Sequence, residues 1–258
     1  MAEPATHDKF LARHTTATLR ALIAGKRAVI ALVPVGSTEP HGPHLGLGTD
    51  VVISAAACIK AVELLERRGT LAAVIAPSVS YGVTDCAEGF AGAVSVPPAI
   101  LTGYLAAICD GLLAHGIRHV CLVNNHLEPA QDAAVRAVLA GREGKASVAC
   151  PLVRKWARTL SAEFKSGACH AGQYETSIVM AAAPELVDDA ARAGLPPVPI
   201  SLSEKLAAGV MTFAAMGMTE AYAGDPAAAT IEEGQQMIAR LAEMVVGEVR
   251  EALGLPVA

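Results

Sequence analysis

Four apolar, β-branched runs punctuate the first 153 residues of the chain, at 28–35, 72–79, 119–124 and 147–153. Each is short and nearly uninterrupted, the pattern of a strand buried on both faces. Between them the apolar positions recur every three to four residues. After Asp50, the side chains of Val51, Ala55, Ile59 and Val62 fall on one helical face, and 101–114 and 130–139 repeat that period. Strands alternating with helices need crossover connections, which pair the strands in parallel and lay helices over both faces of the sheet. The pattern therefore predicts an α/β fold, a three-layer α/β/α sandwich around a mainly parallel central sheet. Past residue 185, the Pro-rich 195–199 predicts an irregular connection, and 231–253 reads as a long C-terminal helix with a Glu-rich start. Neither a linker nor a repeat of solenoid period divides the sequence, so 1–258 reads as a single domain.

Composition narrows the class. Hydrophobic residues make up 53% of the 258, but Ala supplies much of this and charges interrupt every long apolar stretch. No run reaches the roughly 18 apolar residues that would span a bilayer, so no membrane partner is expected. The opening MAEPATHDKFLARHTT is polar and lacks a signal pattern, which predicts a cytoplasmic protein. Cys58, Cys86, Cys109, Cys121, Cys150 and Cys169 form no C-x-x-C pair and read as buried thiols, not as a disulfide framework or thiolate zinc site. A net charge of −5, 3% aromatics and no basic cluster exclude the electrostatic and stacking parts of nucleic-acid binding. Neither a Walker motif nor a G-x-G-x-x-G follows any strand.

In open parallel sheets ligands bind beyond the carboxyl ends of the strands. Two such places carry chemistry. The first run leads into Gly36-Ser37-Thr38-Glu39-Pro40-His41-Gly42-Pro43-His44 and on to Asp50; the third ends in Asn124-Asn125-His126-Leu127-Glu128. Alternate side chains of an extended segment point the same way, so Glu39 can converge with His41, and His126 with Glu128. With Asp50 they form a mixed oxygen and nitrogen donor set suited to Zn²⁺, with Mn²⁺ or Fe²⁺ as alternatives. Five protein ligands are too many for one open catalytic metal. They suit two divalent ions that share a bridging carboxylate and hold a hydroxide between them. Asp50 could equally cap the helix that follows it. Glu128 stands before Pro129, at a cap position where Glu is not preferred, which points to another task. His44 makes H-x-x-H with His41, but Gly42 and Pro43 deny it helical geometry, leaving a supporting role. In His170-Ala171-Gly172-Gln173-Tyr174-Glu175, Glu175 is either a first-turn charge or an acid beside the metals, and His170 either a loop residue or its partner.

The ordered motifs G-S-x-E-x-H-G-P-H-L-x-L-x-T-D (36–50), GVTDCAEGFAGAVSV (82–96), 115–128, HAGQYETS (170–177) and Gly224-Asp225-Pro226 resemble those of the creatininase, or creatinine amidohydrolase, family over nearly the whole chain. The resemblance implies a metal-dependent amidohydrolase that cleaves a C–N bond of a small molecule. It implies one metal on Glu39, Asp50 and His126 and a second on His41, Asp50 and Glu128, with Asp50 bridging. His170 would act on the substrate or its leaving group, Glu175 would support it, and six subunits would assemble. The family also holds peptidases and formamide deformylases, acting on a short peptide or a ribosylated pyrimidine; a reading of another class is a non-catalytic ligand-binding relative. Departures fall around the pocket: Leu127-Glu128-Pro129 follows the third-strand histidine, Trp156 is the one tryptophan, and Ala87, Ala91 and Gln173 replace common family residues. The His-x-Glu form is that of creatininase itself, but the single tryptophan speaks against creatinine as substrate, and Trp156, Tyr81 and Tyr174 are candidates for the mouth of the site.

Overall fold

A computed structural model describes residues 7–67 and 69–256. Its sheet has four parallel strands in the order β2-β1-β3-β4, where β1 is Ala28–Val35, β2 Leu71–Ile75, β3 His119–Asn124 and β4 Ala146–Ala149. Helices α1 (Thr16–Ile23), α2 (Thr49–Glu66), α3 (Pro98–Ala114) and α4 (Pro129–Ala137) run between and around the strands. Then come α5 (Arg154–Ala157), α6 (Ala162–Ser166), α7 (Gln173–Ala182), α8 (Asp189–Ala193), α9 (Leu202–Ala207), α10 (Phe213–Met216) and α11 (Ile231–Ala252). No helix among the described residues is long and apolar enough to cross a membrane.

Strand alternation sorts the core into two layers. Ile30, Leu32, Cys121 and Val123 face α2, α7 and α11, meeting Ile53, Ile178 and Leu241. Val29, Ala31, Val33, Val120 and Leu122 face the other way, toward Leu101, Leu105 and Val135 of α3 and α4. Both faces of the sheet are covered, which is why the strand sequences are continuously apolar. The three-layer sandwich is the architecture that the hydrophobic pattern predicts.

Two strands stop earlier than their apolar runs. β2 ends at Ile75 because Pro77 has no N–H to continue the ladder; contact with β1 resumes at Val79, whose N–H donates to the Pro34 carbonyl at 2.9 Å and whose carbonyl accepts from the Gly36 N–H at 3.0 Å. β4 ends before Pro151 for the same reason. Pro34 itself is tolerated in a central strand because it lies beyond the last β2 partner, Ile75 opposite Leu32. The short helices α5, α6 and α8 to α10 are not signalled by any long period, since each is six residues or fewer and most are held by individual caps such as Ser161, Ser201 and Thr212.

The tightest helix contact is α11 on α7. A methyl group on Gly234 would collide with the Ser177 carbonyl of α7, whereas one on the exposed Gly111 of α3 would meet nothing. Alanine at these two helical positions should therefore have opposite effects in thermal melts. Gly234→Ala should destabilise by about 1–3 kcal/mol through overpacking, and Gly111→Ala should stabilise by about 0.5–1 kcal/mol through helix propensity.

Candidate metal centre

The carboxyl ends of β1 and β3 deliver their side chains into one buried cluster. β1 runs into the loop carrying Glu39 and His41, and Gly36 lets that loop press on the start of α2. A Cβ there would lie 2.8 Å from the Asp50 Cβ and 2.7 Å from the Val51 nitrogen. Asp50, in the first turn of α2, does not cap its own helix. Its Oδ2 instead accepts from the Ser37 N–H at 3.3 Å, and its carboxylate faces two imidazoles. His41 Nε2 is 3.2 Å from Asp50 Oδ1, and His126 Nδ1 is 3.0 Å from Asp50 Oδ2.

Each imidazole is oriented by a backbone carbonyl. His41 Nδ1 donates to the Glu39 carbonyl at 3.1 Å and His126 Nε2 donates to that of Val83 at 2.6 Å. A carbonyl can only accept, so the other ring nitrogen of each histidine turns its lone pair or proton to the carboxylates, the arrangement found around metal-ligating histidines. Glu39 Oε1 lies 3.2 Å from His126 Nδ1, while its Oε2 accepts from the Thr84 hydroxyl.

Three groups of donor atoms result, each with its members within 4.8 Å of one another: Glu39, Asp50 and His126; His41, Asp50 and Glu175; and Glu39, His41 and His170. The structure thus places Glu175 with His41 and Asp50, where the resemblance placed Glu128. Glu175 Oε2 is 3.6 Å from His41 Nε2 and accepts from the Ala171 N–H at 2.7 Å. Glu128 lies outside all three groups. Its oxygens accept from the Asp85 and Cys86 N–H groups at 3.2 and 3.1 Å, and it borders the same cavity as Glu39 and His126. His170 Nε2 donates to the Pro40 carbonyl at 3.0 Å, so its Nδ1, 3.8 Å from Glu39, carries the free lone pair. His44 is buried with its ring on Thr176 at 2.9 Å, a supporting position.

The electrostatics fit a site built for cations. Burial alone would raise Glu39 and Asp50, but His126 beside the first, and His41 with His126 beside the second, hold both below the usual carboxylate range. Burial also opposes charge on the two rings. Asp50, Glu175 and Glu39 overcome it to raise His41 to about 10, and Glu39 with Asp50 raise His126. At Glu175 burial outweighs the neighbouring His41 and lifts the carboxyl to about 8; burial and then the His41 charge push His170 down to about 4. At neutral pH two carboxylates thus balance two imidazolium rings, and protons occupy the places divalent cations would take.

A cavity of about 200 Å³ opens over the cluster. Its walls are apolar, with Leu127, Leu152, Phe164, Leu206, Phe213 and Met216 above the acidic floor. None of the aromatic candidates for its mouth lines it. Trp156 donates to Glu248 at 2.5 Å and packs on Gly247 of α11, Tyr174 is buried against Phe164, and Tyr81 borders a separate hollow. Gln173 is also outside, donating to Glu233 at 2.6 Å.

A parallel sheet carrying a buried carboxylate–imidazole cluster beyond its strand ends is the build of a metal-dependent hydrolase. The creatinine amidohydrolase family model matches residues 12–249, and the chain belongs to this creatininase family of metal-dependent amidohydrolases. It is similar to the mycofactocin precursor peptide peptidase of Mycolicibacterium smegmatis, 32% identical over 84% of this chain and 82% of that one. It is also similar to the creatinine amidohydrolase of Pseudomonas putida, 28% identical over 62% and 66%. Among solved structures, a putative creatinine amidohydrolase from Bacteroides fragilis superposes with a TM-score of 0.71 at 20% identity, covering 98% of this chain and all of that one. A manganese form of creatininase gives 0.69 at 22%, covering 95% and 98%.

The proton balance predicts how metal-free protein responds to alkali. His41, raised from 6.5 to about 10, and Glu175, raised from 4.5 to about 8, hold protons in the folded state that the unfolded chain has released. Stability from a raised group is complete below its unfolded pKa and is lost as pH climbs through its folded one. Chelator-treated protein should therefore lose stability steadily from pH 6.5 to 10, by up to about 1.4 kcal/mol per pH unit for each excess proton. Melts across that range check this; a rising melting temperature would contradict the proton count.

Proposed function

We propose that the chain is a dinuclear metallohydrolase of amide bonds, with Glu39, Asp50 and His126 holding one divalent ion and His41, Asp50 and Glu175 the other. The supporting observation is Asp50, whose two oxygens face two histidines from different parts of the chain. Zinc suits both donor sets, with manganese or iron as alternatives. Bound there, the ions would acidify a water and polarise the amide carbonyl.

The remaining work falls to this chain's own side chains. Glu128, fixed by two backbone N–H groups at the cavity's edge and raised by its burial, is positioned to take the proton of the attacking water. His170 Nδ1, whose lone pair is free because Nε2–H is held by Pro40, would take over the proton that Glu128 removed from the water and pass it to the departing nitrogen, because an amine anion is too basic to leave unassisted. Phe213, 4.3 Å from the His170 ring centroid, shields that transfer from water.

The substrate we favour is a short peptide. The stronger of the two curated likenesses is to a precursor-peptide peptidase, and it spans more of both chains than the likeness to creatinine amidohydrolase. Apolar walls and the turning of Trp156 toward α11 also leave little to hold a small polar ring. A single-domain subunit, a homohexamer and a cytoplasmic location complete the reading; light scattering of purified protein tests the assembly.

Metal analysis by mass spectrometry, paired with turnover, tests the centre. Asp50→Asn should lose both ions and all activity. Glu128→Gln should retain two ions per chain while turnover falls about 100-fold or more, and His170→Ala should do the same. Loss of metal from Glu128→Gln would return Glu128 to the ligand set, and full activity of stripped wild-type protein would remove the metal from the mechanism.

A further inference from the structure

The cavity has an acidic floor and apolar walls, and among the described residues Lys165 is the one Lys or Arg that lines it. No carboxylate of the described residues pairs with Lys165, whereas Lys155 on α5 is engaged by Glu248 and Glu251 at 2.9 and 2.6 Å. Lys165 is exposed, so its charge costs nothing to maintain, and an exposed unpaired lysine is ordinary on a surface. Its place is not ordinary, because it borders the hollow that leads to Asp50 and Glu39.

We propose that Lys165 reads a carboxylate of the substrate, so that the enzyme prefers amides in which an apolar segment ends in a free carboxylate. This deepens the amidohydrolase reading above and rests on it. Three observations combine. The floor is balanced in charge by protons or cations and is taken up by the scissile amide, so the anionic end of a charged substrate has to find its partner elsewhere. Leu152, Leu206, Phe213 and Met216 along the wall accept an apolar side chain and give a polar group no partner. Lys165 then supplies the single attractive charge along that path. Together they fix a direction, with the scissile amide at the floor, the apolar side chain on the wall and the carboxylate at Lys165.

The mount of Lys165 is rigid. Ser161 caps α6 and Gly167 ends it in a left-handed turn with φ of 83°. On the same helix Glu163 accepts from the Tyr174 and Asp225 N–H groups, each at 2.7 Å, which ties α6 to the start of the helix that carries Glu175. The lysine backbone thus keeps a fixed position relative to the floor, as a specificity residue must. Creatinine, a neutral ring, offers this lysine no partner.

The test uses metal-loaded wild-type protein, Lys165→Gln and Lys165→Glu, with short peptides ending in Leu, Val or Phe. Each peptide is supplied as the free acid, the terminal amide and the aminoethylamide, which ends in a cation. Wild type should favour free acids over amides by about fivefold, the size of an ion pair at a half-wet rim, carried by KM and weakened by salt. Lys165→Gln should abolish that difference, and Lys165→Glu should shift preference to the aminoethylamides. Equal turnover of acids and amides by wild type, or a preference that survives in Lys165→Gln, would overturn the role of Lys165 and leave the hydrolase standing. Failure of every peptide with two ions bound would overturn both.

Discussion

Burying Asp50 sets the terms for everything around it. A carboxylate removed from water is costly unless opposite charge or hydrogen-bond donors replace the solvent, and Asp50 is 1% exposed with two further acids, Glu39 and Glu175, beside it. Among the described residues the ion-pair partners of Asp50 are two histidines, with no lysine or arginine among them. The compensation comes from His41 and His126, each turned toward the carboxylates by a hydrogen bond from its other ring nitrogen to a backbone carbonyl. Such a cluster can be neutral with protons or with cations, and exchange between the two states couples metal affinity to pH.

That requirement reaches outward into the scaffold. The Asp50 carboxylate meets the Ser37 N–H because Gly36 has no side chain to keep β1 and α2 apart. Glu39 is held by the Thr84 hydroxyl and Glu128 by the N–H groups of Asp85 and Cys86, so the segment after β2 stabilises acids on both sides of the cavity. Glu163 does the corresponding work for Glu175 by tying α6 to the start of α7. Each link is a donor supplied to a carboxylate, and each sits on a strand end or helix start, where backbone N–H groups are free to give.

The fold was largely legible in the sequence because two-sided burial leaves a strong trace, visible in β1 and β3, whose ends match the apolar runs. β2 and β4 were overextended because hydrophobicity continues past Pro77 and Pro151 while the ladder cannot. At the centre, Glu39, His41, Asp50 and His126 were legible from short-range spacing, which extended backbone converts into shared direction. Glu175 was not. It enters from the first turn of α7, where a carboxylate is ordinary, and only the packing of α7 against α2 reveals its approach to His41. Glu128, which the resemblance gives as a ligand, borders the same cavity but lies outside the three donor groups. His-x-Glu spacing promised convergence, but Glu128 is the residue before α4, and its side chain turns to the Asp85–Cys86 backbone.

The departures from the family pattern separate once they are placed in space. Gln173 lies outside the cavity, where its amide donates to Glu233; a glutamate there would set two carboxylates against each other, so the change answers to α11 and not to the substrate. Ala87 is different. It is fully buried and belongs to the apolar cluster containing Phe213 and Met216, two side chains that wall the cavity. A small apolar residue at that position keeps the wall free of polar groups. What the substrate meets is therefore set by an apolar layer laid over an acidic floor, and the two can vary independently because they come from different elements. Strand ends and the first turns of α2 and α7 supply the floor, while the other short helices between β4 and α11 supply most of the wall.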